Sequence, residues 1–212
     1  MASNLATPGV YIEEKSSFGT SVVPVATAIP AFVGYTEKAL RGTKSLSNVP
    51  TKISNFGEFV ELFGGAPNTL FSISQPNKSK PKPAAKEGDT PAAKADAAKT
   101  GSSEYSLEMD MDTRYLMYDA IRLYFVNGGS DCYIVSVGSY SDKISSKALN
   151  DVAVGGGLAA LEKFTEPTIL VIPEAILLTE ADCYSVQAAM LQHCGYKMKN
   201  RFAVLDVFNG NS

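Results

Sequence analysis

Four short runs of nearly unbroken apolar residues constrain this chain more than any other feature of it. They are Ala31-Phe32-Val33-Gly34, Cys132 to Val137, Thr168 to Ile172 and Phe202 to Val207. A strand that is apolar at successive positions has no face to give to water, so both faces of its sheet must be covered. The stretches between the runs supply the cover. Residues 112 to 126 place Met117, Ala120, Ile121, Tyr124 and Phe125 on one side of a predicted helix, and Asn127-Gly128-Gly129 ends it. Residues 56 to 63 place Phe56, Phe59, Val60 and Phe63 at helical spacing behind an Asn55 and Glu58 capping box, with Gly64-Gly65 as the stop. Shorter helices are predicted over residues 158 to 164 and 181 to 194, the second ended by Gly195. Runs and helices in alternation define an α/β fold, a mostly parallel sheet flanked by helices.

Two segments fall outside that alternation. Residues 1 to 25 read as an extended N-terminal arm, in which Pro8 lacks an N–H, Gly9 permits a bend, and Val10-Tyr11-Ile12 is a β-prone run suited to a sheet edge. At 3.3 to 3.6 Å per residue a 14-residue arm reaches roughly 45 Å, further than its own domain requires. Tyr11 lies outside any core assignable to the chain and needs a partner surface to become buried. Residues 76 to 103 carry Pro76, Pro81, Pro83 and Pro91 among alanines and lysines, with almost nothing large and apolar. They are predicted to form a disordered insertion, unable to offset a chain entropy of about 1 to 2 kcal/mol per residue. Interspersed acids and the lack of aromatics make the lysines a solvated loop, not a binding patch. The α/β domain is thus divided into residues 26 to 75 and 104 to 212. Replacing residues 76 to 103 with a short Gly-Ser linker is expected to leave the melting temperature nearly unchanged. A loss of many degrees would show that the insertion is packed.

Groups that carry chemistry are scarce. The single histidine, His193, shares a helical side with Val186, Ala189 and Met190, which suits packing or capping. Its neighbour Cys194 points about 100° away around the helix, and no nucleophile-elbow sequence is present. Cys132, Cys183 and Cys194 are too few and too widely spaced for a disulfide framework or a local zinc set, and read as reduced, buried thiols. Glu108, Asp110 and Asp112 precede the long helix, where capping and the helix dipole account for acids. Gly155-Gly156-Gly157 precedes a helix and carries the alternative, an α/β nucleotide-binding domain or enzyme holding a phosphate on that loop. Against it, no Lys-Ser or Lys-Thr pair follows, and the spacing is not that of a dinucleotide fingerprint. No catalytic, cofactor or metal residue is therefore assigned, and no enzyme activity is expected. A formal net charge of -3 gives no basic footprint for nucleic acid. No apolar run approaches the roughly 20 residues of a membrane span, and Met1-Ala2-Ser3-Asn4 has neither the charged nor the apolar region of a signal, so folding in the cytoplasm is expected.

Four segments, in order, carry a family resemblance. Thr7-Pro8-Gly9-Val10-Tyr11-Ile12-Glu13-Glu14 resembles the opening motif of contractile tail sheath proteins of bacteriophages and related injection systems. Ala28 to Glu37 is similar to that family's first core strand, and Ile53 to Gly65 to the helix after it. Tyr124 to Val135 resembles its helix, double glycine and strand. The resemblance spans most of residues 5 to 209 apart from the insertion. It implies a structural subunit that polymerises with identical or paralogous copies into a helical sheath around an inner tail tube, on a baseplate, and contracts to drive the tube through a target envelope. It also implies that the arm Thr7, Pro8, Gly9, Val10, Tyr11, Ile12, Glu13 and Glu14 adds a strand to a neighbour's sheet. No cofactor, nucleic acid or direct membrane insertion is implied. Assembly is expected in the bacterial cytoplasm, in a phage tail (a virion part) or an injection particle. Family members continue into a C-terminal domain that packs on the tube and accepts arms. No such domain is matched here, and no closing helix follows the last predicted core strand.

Overall fold

A computed structural model describes residues 28–74, 106–150 and 155–210. The arm at residues 1 to 25, with Thr7 to Glu14, and the insertion at residues 76 to 103 lie outside the described residues. In chain order the strands are β1 (Pro30–Thr36), β2 (Leu40–Arg41), β3 (Lys44–Ser45), β4 (Thr51–Ile53), β5 (Phe71–Ser74), β6 (Ser106–Met109), β7 (Cys132–Ser139), β8 (Ile169–Val171) and β9 (Phe202–Val204). The α-helices are α1 (Phe56–Phe63), α2 (Met117–Val126), α3 (Ser146–Leu149) and α4 (Glu180–Gln192).

A mixed five-stranded sheet, ordered β4-β7-β1-β8-β9, organises the domain. β1 is buried at every position and lies between parallel β7 and β8, with β9 parallel beyond β8. Only β4 is antiparallel, pairing Ile53 with Cys132. The sheet is α/β and mostly parallel, as the apolar runs predict. β2 and β3 form a small hairpin, and β5 and β6 a separate two-stranded ribbon.

The alternation of side chains along β1 feeds two cores. Ala31, Val33 and Tyr35 pack with Val135, Leu170, Leu149, Leu161, Val186 and Met190, on the side of α3 and α4. Phe32 packs with Ile134, Phe59, Phe63, Met117 and Ile121, on the side of α1 and α2. The predicted capping box of α1 is formed: Asn55 Oδ1 accepts from the Glu58 N–H at 2.9 Å, and Glu58 Oε2 accepts from the Ser54 N–H at 2.7 Å. Gly64, at φ 91°, ends the helix.

Three predicted helices are altered by tertiary demands. The helix expected from residue 112 is split into a 3-10 turn at Met111–Thr113 and α2 from Met117. Between them Tyr115 is drawn into the core, and its hydroxyl lies 2.9 Å from both the Tyr140 and Asp142 carbonyls. The helix expected at 158 to 164 is a 3-10 helix, Gly157–Lys163. Its end is held by the buried Arg201 guanidinium, which donates to the Leu161 and Phe164 carbonyls. Gly195 does not end the fourth helix. α4 passes into a π-helical turn, His193–Met198, which turns both His193 and Cys194 inward, and Lys199 at φ 57° closes it.

The largest correction concerns the last run. Residues 202 to 207 are predicted as a core strand, yet pairing stops at Val204, and Phe202 and Val204 are 81% and 50% exposed. Only Ala203 packs inward. α1 and α2 cover β4, β7 and β1 on one face and their core reaches Val171 of β8, whereas Phe202 and Val204 of β9 stay exposed there. Among the described residues this face is thus covered as far as β8, and the opposite face as far as Ala203 of β9. Among the described residues no helix is long and apolar enough to cross a membrane.

Candidate functional site

In a doubly wound sheet, ligands bind at the carboxyl ends of strands whose connections leave in opposite directions. Here that point lies between β1 and β8, because the chain passes from β1 to β7 on one side and later to β8 on the other. The N-terminus of α2 opens onto it, and Gly34 of β1 leaves space above the sheet. Both features suit a bound anion.

The protein fills this crevice with its own carboxylate. Glu174, in a 3-10 turn at Pro173–Leu177 just after β8, is fully buried. Its Oε1 accepts from the Met117 N–H at 2.9 Å, so a tertiary contact caps α2, whose own Leu116 supplies no side-chain cap. Its Oε2 lies over Gly34, where a Cβ would fall 2.8 Å from Met117 Sδ and closer still to that oxygen. Oε2 makes no hydrogen bond among the described residues. Burial pushes the carboxyl up to about 7, although the surrounding backbone N–H groups, including those of Met117 and Tyr35, favour its charged form.

Three tyrosines cluster near enough to feel the Glu174 charge. The Tyr115 ring lies 4.8 Å from Tyr140 and 5.8 Å from Tyr35. Tyr140 donates to the Gly65 carbonyl at 3.1 Å, and the Tyr35 hydroxyl accepts from the Ser145 N–H at 3.1 Å. Burial raises all three phenols. Beside them opens a cleft of about 290 Å³, lined by Asp112, Tyr115, Tyr140, Asp142 and Lys143 among others. That is the lower limit of ordinary ligand pockets. Its Asp142 is held below the carboxylate range by the Ser139 N–H and hydroxyl. The arrangement offers a buried acid and tied hydroxyls, with no nucleophile placed against a base.

Of the residues singled out in the sequence, Asp112 lines the cleft, and the others described lie elsewhere. The Gly157 N–H donates to Asn48 Oδ1 at 2.9 Å, and a Cβ on Gly157 would lie 2.5 Å from the Ala148 and Leu149 carbonyls. That donor is thus spent within the fold. Asp110 Oδ1 caps the Asp112 N–H at 3.1 Å, the local role expected of it, while Glu108 is exposed on β6. The three cysteines are free and buried, and burial pushes the Cys132 thiol up to about 12.

His193 is a packing residue with a buried partner. Arg201 Nη1 donates to His193 Nε2 at 3.2 Å, and burial, then the guanidinium, holds the ring down to about 4. A folded pKa below the ordinary 6.5 contributes stability present above pH 6.5 and lost as pH falls toward 4. His193→Gln, which takes up no proton, is expected to lose less of its melting temperature than the parent between pH 6.5 and 4, in paired circular-dichroism melts. An unchanged slope would contradict a buried neutral ring.

Glu174 and Arg201 were not assigned from sequence. A usable signal was present at Glu174: a lone acid inside the apolar stretch Ile169 to Ile176, directly after a strand. Compared with known proteins, the chain matches no family model and no curated protein.

Proposed function

We propose that this chain is a structural subunit of a contractile tail sheath, one that polymerises with its own kind around an inner tube and acts without catalysing a reaction. The observation that supports it best is how three sheath-like segments, distant in sequence, meet. Ala31 and Phe32 of the first pair with Tyr133 and Ile134 of the third, and Ile53 of the second pairs with Cys132. The Lys38 N–H, just past the first segment, donates to the Phe63 carbonyl of the second at 3.1 Å, while Glu37 accepts from the Gly65 N–H at 2.5 Å. The Phe32 ring meets Tyr124 edge-on at 5.7 Å. Phe32, Ile53, Phe59, Phe63, Cys132 and Ile134 of these three segments thus share one core, while Ala31, Val33, Tyr133 and Val135 of the same segments face the other.

A second support is the occupied crevice. A domain that stores and transmits mechanical strain needs no ligand at its sheet, and Glu174 fills the place where one would sit. The fourth segment, Thr7 to Glu14, acts as the linking arm by strand addition. Its backbone bonds contribute about 0.5 to 1.5 kcal/mol each, a modest link that repetition around a sleeve makes strong. The partners are further copies, the tube and the baseplate, with assembly in the bacterial cytoplasm. Electron microscopy of the full-length protein tests this directly, and tubular sleeves are the expected result. Saturable nucleotide binding at the Gly155 to Gly157 loop would favour the nucleotide-binding alternative, but the Gly157 N–H already serves Asn48.

A further inference from the structure

Strand β8 is shorter than the strand beside it. Ile169, Leu170 and Val171 pair with Pro30, Ala31 and Phe32, and β1 then runs on to Thr36 with no paired residue of β8 along that edge. The turn Pro173–Leu177 follows directly and sets the Glu174 carboxyl group over Gly34 of β1. Because Oε1 accepts from the Met117 N–H at 2.9 Å, this one side chain ties the first turn of α2 to the end of β8. The two elements belong to different connections of the sheet, α2 leading into β7 and the turn leading into α4. Glu174 is the joint between them.

A fully buried carboxylate is ordinarily paired, and this one has no counter-charge among the described residues. The ion pairs there join Lys52 to Asp131 and Glu166, and Lys197 to Glu162. Lys38, Arg114, Arg122 and Lys143, the cations on the segments around the joint, enter none of them. The titratable groups that face Glu174 are phenols: Tyr35 from β1, Tyr115 from just ahead of α2 and Tyr140 from just after β7. Further acids stand behind them, Asp112 and Asp142 acting on Tyr115, and Glu37 and Asp119 on Tyr140. α4, whose buried Cys183 shares a core with Ala175 of the turn, adds no cation; its Glu180 is exposed and its Asp182 accepts from Ser146 Oγ at 2.9 Å. Only backbone N–H groups favour the charged form, those of Leu116, Met117, Tyr35 and Glu174 itself. With Oε2 left without a hydrogen-bond partner among the described residues, burial outweighs them and favours the protonated acid.

We propose that Glu174 is a pH-sensitive latch: protonated, it holds the first turn of α2 against the turn after β8, and on losing its proton to solvent it lets that joint open locally. The joint lies next to water. Leu177 of the same turn and Tyr115 both line the cleft of about 290 Å³, together with Asp112 and Asp142. When the turn carries Glu174 outward, the charge reaches water through this cleft, the Met117 N–H loses its acceptor and the space over Gly34 is opened. Because the carboxyl is raised from 4.5 to about 7 when buried, the latch is fully closed below pH 4.5 and is released as pH rises through 7. Local opening of this kind needs less free energy than unfolding the sheet, so it is set apart from the two cores. The latch does not depend on the sheath reading.

Amide hydrogen exchange in the full chain, read at pH 5.5 and pH 7.5 and corrected for the intrinsic rate, tests it. The Met117 N–H reports the joint, and the amides of Cys132 to Val135, on a strand paired on both sides, report the opening of the sheet. The protection of Met117 relative to those amides is expected to fall about twentyfold between the two pH values, the change set by a carboxyl at about 7 when closed and 4.5 when open. In Glu174→Gln, which has no proton to lose, the ratio should stay constant. A constant ratio in the parent overturns the proposal, because Glu174 would then be a cap whose charge opens nothing locally. An equal fall in Glu174→Gln also overturns it, since another group would be titrating. If that variant does not fold, the parent alone decides through the 13C shift of the Glu174 carboxyl. A midpoint near 7 together with the fall at Met117 supports the latch, and a midpoint in the ordinary carboxylate range overturns it.

Discussion

Glu174→Gln is expected to melt higher than the parent at pH 8 and nearly level with it at pH 5. The carboxyl is raised from 4.5 to about 7 by burial, a cost of about 3 kcal/mol to the charged form. The amide keeps an oxygen for the Met117 N–H, and its unpartnered NH2 group over Gly34 costs about 1 kcal/mol. The net gain of about 2 kcal/mol corresponds to about 4 to 8 °C for a domain of this size. Because the folded pKa is raised, the contribution of Glu174 is fully present below pH 4.5 and is lost as pH rises through 7. The opposing trend of His193 lies between pH 6.5 and 4 and cancels when variant and parent are compared at one pH. Equal midpoints at pH 8 would mean that the carboxylate is not held charged in the crevice. Gly34→Ala should act oppositely, losing about 1 to 3 kcal/mol at any pH, because β1 is paired on both sides and cannot withdraw from Glu174 and Met117.

Deleting residues 1 to 14 is expected to leave the melting temperature within a few degrees of the parent's while abolishing sleeve assembly. Among the described residues both cores begin at Ile29, whose N–H donates to Thr168 Oγ1 at 2.9 Å. In the sheath reading stability has no claim on the arm. Assembly has one, since in the sheath reading every subunit gives one arm and receives another, and deletion removes both links from all copies at once. Sleeves of normal length after deletion would contradict the arm. A large fall in melting temperature would show that residues 1 to 14 belong to the domain's own core.

Much of the fold is legible in the chain because burial on two faces leaves a direct trace. The runs at β1, β7 and β8 are apolar at successive positions, and the Asn55 and Glu58 cap is a local device that needs no distant partner. What escapes is set by distant residues. Phe202 to Val207 has the same apolar signature as the buried strands, yet among the described residues no helix lies over β9 on the side of Phe202 and Val204, which stand exposed. Tyr115 leaves the helical path because its hydroxyl finds carbonyls 25 and 27 residues away. Gly195 reads as a stop, yet two inward-facing neighbours, His193 and Cys194, favour a wider turn through it. Glu174 is the hardest case: an acid after a strand ordinarily meets water, and only the meeting of α2, Gly34 and the turn after β8 buries it.

The most direct test of a sheath subunit is electron microscopy of the full-length protein at high concentration, with the tube protein present. The account predicts hollow helical sleeves in which density for Val10 to Ile12 of one subunit lies as an added strand on its neighbour. Monodisperse single particles under every condition, with the tube left bare, would contradict it.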